Sequence, residues 1–417
     1  MKTLNACKVG LALTAAAFLG MTTAQPAAAI TFSLTDIGTL GGNYGDAYGI
    51  NNLGQVIGVS TTTDDGKLRP FFWDKSSGTI NLGTLGGDDT NAYSINDLGQ
   101  VIGTSTTING QLRPFLWDKN SGMIDLGIMG DDFIGAALRL DNSGRVFGTS
   151  TTADGQLRAF FWDKSSGMID LGILGGENTV VYDINNSGQI IGTSTNADGK
   201  PRAFLWEKDT GTINLGTLGG ELSSASRIND LGQVIGNSTN ADGEFRAFLW
   251  DKNSGMIDLG TLGGNESTVY GINNLGQAIG TSQTADGQQR AFLWDKSGGM
   301  TNLGSLGGDF SMAFRLNNSG QAIGTSTTAD GEWRQFFWDK SSGLIDLNNL
   351  VSEFGWGLLN IANINDAGQI VGRGFYNGQS RAFLLTPNTS KSVPEPSFAL
   401  GFLALGAVGA GALAKRK

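Results

Sequence analysis

The chain has 417 residues, 65 of them glycine, with 16% charged residues and a formal net charge of −10. Glycine at roughly twice its usual share of about 7%, with no triplet period, belongs to turns, and the low charge content speaks against long disorder. There is no histidine, and the single cysteine, Cys7, lies near the start of the chain. Ser-His-Asp and Cys-His catalysis, zinc sites of imidazole or thiolate, and a disulfide framework are therefore excluded from the body. An acidic body repels phosphate backbones, so no nucleic-acid partner is expected.

Residues 1–29 carry Lys2 and Lys8, then the apolar run "VGLALTAAAFLGM", then "AQPAAA". A charged start, a short apolar centre and small residues at the end predict a signal peptide and export across the inner membrane. Directly after it comes "FSLTDIG", which looks like the closing piece of a repeat with no repeat before it.

From there the sequence is periodic. "INNLGQ" starts at Ile50, and related segments start at Ile95, Leu140, Ile184, Ile228, Ile272, Leu316 and Ile364, spaced by 44 or 45 residues and finally by 48. A second marker, Arg-x-Phe-x-Trp, places tryptophans at 73, 117, 162, 206, 250, 294 and 338, with Leu385 in the eighth copy. Each unit holds four short runs rich in Val, Ile, Thr, Phe and Trp, separated by Gly, Asn and Asp turns, which predicts strands and hairpins. Third runs such as "RAFFW" are apolar on both faces and so need cover on both faces. Four strands in a period of 40 to 50 residues predict an all-β protein, a closed β-propeller of about eight four-stranded blades over residues 30–387. The eighth unit lacks its fourth run, and "FSLTDIG" supplies it: the N-terminal strand is expected to complete the last blade and leave no free edge.

Residues common to every unit read as scaffold: the tryptophans as core between blades, and the arginines at 69, 113, 158, 202, 246, 290, 334 and 381 as partners of acids or carbonyls. The segment after each Gly-Gly varies instead, and always holds a carboxylate. Asp46, Asp88, Asp89, Asp131, Asp132, Glu177, Glu221, Glu266, Asp309 and Glu353 form a candidate acidic rim on one face, near the mouth of the channel. No catalytic residue and no cofactor are expected. Calcium is the single candidate metal, and only if several oxygens converge. Repeated, near-equivalent acids suit a non-catalytic binding or structural scaffold; the alternative is a glycosidase or polysaccharide lyase on a propeller, since two carboxylates suffice for that chemistry.

The chain ends with Pro394-Glu395-Pro396 in a linker over 388–396, an apolar stretch from Ser397, and Lys415-Arg416-Lys417. Residues 397–417 predict an apolar helix, marginal for a membrane span, with a basic stop. Triplet, helix and basic cluster in that order resemble the PEP-CTERM sorting signal of bacteria. The resemblance implies an exosortase-type processing enzyme as partner, a cell-surface or extracellular location, and membrane association through the helix before or without cleavage. The repeats resemble the HAF-type extracellular repeat, in the order "INxxGQ", "RAFLW", "DLGTLGG", with arginine where that family's name places histidine. That resemblance implies a location and no activity, with exopolysaccharide and other surface proteins as candidate partners.

Overall fold

The computed structural model describes residues 30–129, 136–151, 157–171 and 179–388. The expected signal peptide, the Pro394-Glu395-Pro396 triplet and the expected apolar helix at 397–417 lie outside the described residues. Among the described residues are 32 strands and one helix. In the first blade Gly41–Ile50, Val56–Thr62, Leu68–Asp74 and Gly78–Asn81 pair antiparallel in sequence order. Units two to seven repeat that order; units two to five each make one four-stranded sheet, and the four-stranded sheets of units six and seven are joined by a single parallel bridge, Gln289 to Phe310. The eighth contributes Gly357–Ile364, Ile370–Tyr376 and Gln379–Asn388. Its fourth strand is Thr31–Gly38, antiparallel to Gln379–Asn388 with Leu34 opposite Leu385.

Among the described residues no sheet closes on itself into a barrel. Neighbouring blades touch through their faces, with single parallel bridges, Tyr44 to Ser380 and Gln289 to Phe310, joining strands of two blades among those residues. The third strands explain this packing. Phe71 and Phe72, adjacent in sequence and so on opposite faces, are both fully buried. Phe72 packs with Val101, Phe115 and Trp117 of the second blade, its ring 5.3 Å from that of Trp117. Clusters of this kind recur from blade to blade, each buried aromatic contributing about 1.5–3 kcal/mol. The tryptophan series is core between blades, as expected from the sequence.

Second strands carry glycine opposite the phenylalanine for a steric reason. A Cβ on Gly58 would sit 2.0 Å from the Asp46 carbonyl oxygen and 2.6 Å from the Phe71 ring. Pro70 and Pro114 are explained by the neighbouring blade. At that position Ala203, Ala247 and Ala291 turn their N–H out of the ladder and donate it to a serine hydroxyl of the next blade, Ala247 to Ser267 at 3.0 Å. A proline there breaks no bond within its own sheet.

Gly-Gly pairs open the first strand of a unit: Gly41, at φ +100°, already pairs with Thr62. The fold is all-β, as expected; the longer eighth unit adds one short helix, Leu347–Ser352, capped by the Asp346 carboxylate and burying Leu347 and Val351. One expectation is corrected, placement at a membrane through a helix. Among the described residues no helix is long and apolar enough to cross a membrane; the six-residue helix spans about 9 Å against roughly 30 Å of hydrocarbon.

Candidate functional site

The first strand of each unit lies at one end of its sheet, and the residues that follow it meet on a common axis. Ile50, Asn51 and Asn52 and their counterparts from all eight units line one cavity of about 340 Å³. Two hydrogen-bonded circuits hold this mouth together.

The outer circuit is complete. The backbone N–H of Asn52 donates to the side-chain oxygen of Asp97, and Asp97, Asn142 and Asn186 each donate likewise to the next unit. Asp230, Asn274, Asn318 and Asp366 continue it, and the Asp366 N–H donates to Asn52 at 3.0 Å, returning to the start. Asn52 and Asn142 also donate their amides to the second oxygen of Asp97, and Asn186 and Asn274 do the same for Asp230. These carboxylates are thus held as acceptors within the ring.

The inner circuit uses buried asparagines. Asn51 Nδ2 donates to the Asn96 carbonyl at 2.8 Å, while its Oδ1 accepts from the N–H groups of Leu53 and Gln55. One amide therefore shapes its own turn and fastens the next blade. Asn365 closes the same circuit onto the Asn51 carbonyl at 3.0 Å. The third unit has Asp141 instead, which lacks an amide to donate. There Arg145 replaces the usual glutamine, pairs with the Asp141 carboxylate, and donates to the Asn186 carbonyl at 2.9 Å. Two departures from the repeat compensate each other.

The candidate rim residues lie elsewhere. Asp46, Asp88, Asp89, Glu221, Glu266 and Asp309 belong to first strands rather than to loops. All but Asp46 sit near the strand start, far from the asparagine mouth. Asp88 is paired with Lys67 and Glu221 with Lys200, and these ammonium groups hold both carboxyls below their usual range. Asp46 lies 3.5 Å from Arg373; burial raises its pKa, with the guanidinium opposing. Glu353 caps the C-terminus of the short helix. Asp131, Asp132 and Glu177 lie outside the described residues. Among those described, no group of three or more acidic, histidine or cysteine side chains could hold a metal ion.

The repeated arginines have varied partners: Asp65 for Arg69, Glu244 for Arg246, Glu332 for Arg334, Asp36 for Arg381. The Asp-Gly pairs are turns, with the Asp65 carboxylate accepting from the Lys67 N–H. Sequence reasoning missed the asparagine circuits, although their signal was the unbroken "IN" or "LN" of nearly every unit.

Fold and channel define an all-β repeat protein of propeller architecture. No protein-family model and no curated protein matches the chain. Among solved structures it is similar to the β-propeller domain of the Trilobed protease from Pyrococcus furiosus, at 11% identity and TM-score 0.47, covering 73% of this chain and 97% of that one. It is also similar to an oligogalacturonate lyase in complex with manganese, at 11% identity and TM-score 0.45, covering 87% and 97%. TolB from Acinetobacter baumannii matches at 10% identity and TM-score 0.38, over 80% of each chain. These likenesses concern the arrangement of strands and carry nothing about activity.

Proposed function

We propose that the protein is a non-catalytic binding and structural scaffold. The supporting observation is the fate of the polar groups at the channel mouth. The carboxylates Asp97 and Asp230 have both oxygens engaged by ring neighbours, and Asp141 is neutralised by Arg145. A general acid or nucleophile needs a carboxyl free to reach substrate, whereas these groups are fastened as structural acceptors. Positions that vary between blades are then left to bind a ligand.

The test is a glycan array run with the full chain, alongside a polysaccharide cleavage assay on the same preparation. Retention of a glycan without release of product is the expected result. Release of product, abolished by Asp97→Asn or Glu353→Gln, would replace the scaffold with the enzyme reading.

A further inference from the structure

The first strands hold a second set of residues that the repeat does not explain. Two positions before the inner-circuit residue, four blades carry a charge: Arg139, Asp183, Arg227 and Arg315, in the third, fourth, fifth and seventh blades. Each follows a break in register on the innermost strand and stands opposite Phe147, Ile191, Ile235 or Ile323. The residues directly after them line the cavity on the axis, so the four charges form one layer around that axis. In a ring of eight, the third and seventh blades face each other, with the fifth midway between them.

The layer is unbalanced. Arg139 Nε donates to Asp183 Oδ1 at 3.1 Å, and the second oxygen of Asp183 accepts from the Ile228 N–H at 3.3 Å. The single carboxylate is thereby used. Arg227 donates one Nη to the Ser226 carbonyl at 2.8 Å, and Arg315 one Nη to the Phe314 carbonyl at 3.0 Å. Among the described residues neither enters an ion pair, and a guanidinium has five N–H donors. Burial lowers the pKa of both, with the Asp183 carboxylate opposing it in each case; the charges of Arg227 and Arg139 add to the lowering of Arg315, which is pushed down to about 10. Three partly buried guanidiniums share the single carboxylate of the layer, Asp183, and like charges only partly balanced in this way favour a further counter-charge. Beside Arg227, a cavity of about 380 Å³ bounded by Tyr182 and Tyr270 leaves room for one.

We infer that the central channel binds a compact oxyanion carrying two or more negative charges, gripped by Arg227 and Arg315 with Arg139 as a third donor. Planar guanidinium groups match carboxylate, sulfate and phosphate oxygens in paired hydrogen bonds. Asp183 is a positioning residue that holds Arg139. A long polyanion is disfavoured because the body of the chain is acidic and repels it, while a small anion can enter the channel. This deepens the scaffold reading, on which it rests, by naming a ligand class.

The full chain is melted, and titrated calorimetrically, with sulfate, inorganic phosphate or citrate against chloride at matched ionic strength. The midpoint should rise with one or more of the three and not with chloride, and which of them binds separates an inorganic ligand from a carboxylate. Arg227→Gln or Arg315→Gln should weaken binding about tenfold each. The double variant should lose the response, while its midpoint without anion rises because repulsion has been relieved. Lys67→Gln, which removes an exposed cation far from the channel, should leave the response unchanged. An absent response in the unaltered chain, or an undiminished one in the single and double variants, overturns the site. A loss of equal size in Lys67→Gln also overturns it. Glycan retention with no anion response would sink this site alone, whereas product release with the anion response intact would sink the scaffold reading and leave the channel as an anion site of an enzyme.

Discussion

Arg145 and Asp141 show how closely single residues are tied to the ring. Removing Arg145 leaves a fully buried carboxylate without its cation, and Arg145→Gln should cost about 3 kcal/mol or more in urea unfolding. The double change Asp141→Asn, Arg145→Gln rebuilds the pair found in the other units and should return close to wild-type stability. Additive losses in that cycle would show that the pair is not coupled. Gly324→Ala tests a different constraint. The new methyl would meet the Met312 carbonyl at 2.1 Å and the Phe336 ring at 2.3 Å, so a loss of about 3 kcal/mol is expected. At this scale the sequence was legible only in part. Glycine and tryptophan stood out because they recur, but an asparagine that reaches the next blade looks, in sequence, like one that merely shapes a turn. Arg139, Arg227 and Arg315 were invisible as a group because each is 88 residues from the next and they meet only through the ring.

At the scale of the element, Thr31–Gly38 is the strand whose role the repeat grammar revealed most clearly. Phe32 and Ile37 are buried, and the Phe32 ring meets Phe337 of the seventh blade edge-on at 5.4 Å. Deleting residues 31–38 should lower the melting midpoint and expose the backbone of Gln379–Asn388 as an edge, promoting self-association. A truncated chain that melts like the full one and stays monomeric in size-exclusion chromatography would contradict that role. The capped helix after Asp346 was not anticipated, since six residues are too few to show a helical period. The Gly-Gly pairs, with a left-handed first glycine that in isolation suits a turn, here begin a bulged strand.

Across the whole molecule, one turn recurs between third and fourth strands, and it is held by carboxylates. The Ser165 hydroxyl and the Ser166 N–H keep Asp163 down at about 2, and Ser297 and Gly298 act in the same way on Asp295. Asp74, Asp118, Asp251 and Asp339 are also lowered, hydrogen bonds outweighing the opposing effect of burial. A carboxyl lowered in the folded state stabilises it above the unfolded value of about 3.9 and loses that contribution as pH falls through the folded value. The melting midpoint should therefore be flat near neutrality and fall steeply between about pH 4 and pH 2. Asp46, raised by burial, acts in the opposite sense, but it is one group against many. A midpoint unchanged down to pH 2 would show that these turns do not govern acid stability.

The shared eighth blade also sets a timetable for the chain. Ser33 meets Thr386 across 353 positions, so the first strand made can find its partner only when nearly the last is complete. At about 5–20 residues per second of synthesis, that strand waits roughly 20–70 s without its neighbour. Seven blades can form in order while the chain emerges, but the ring becomes a ring only at the end. The nascent protein therefore carries an open seam through almost its whole synthesis, and its exposure to mispairing is greatest just before it is finished.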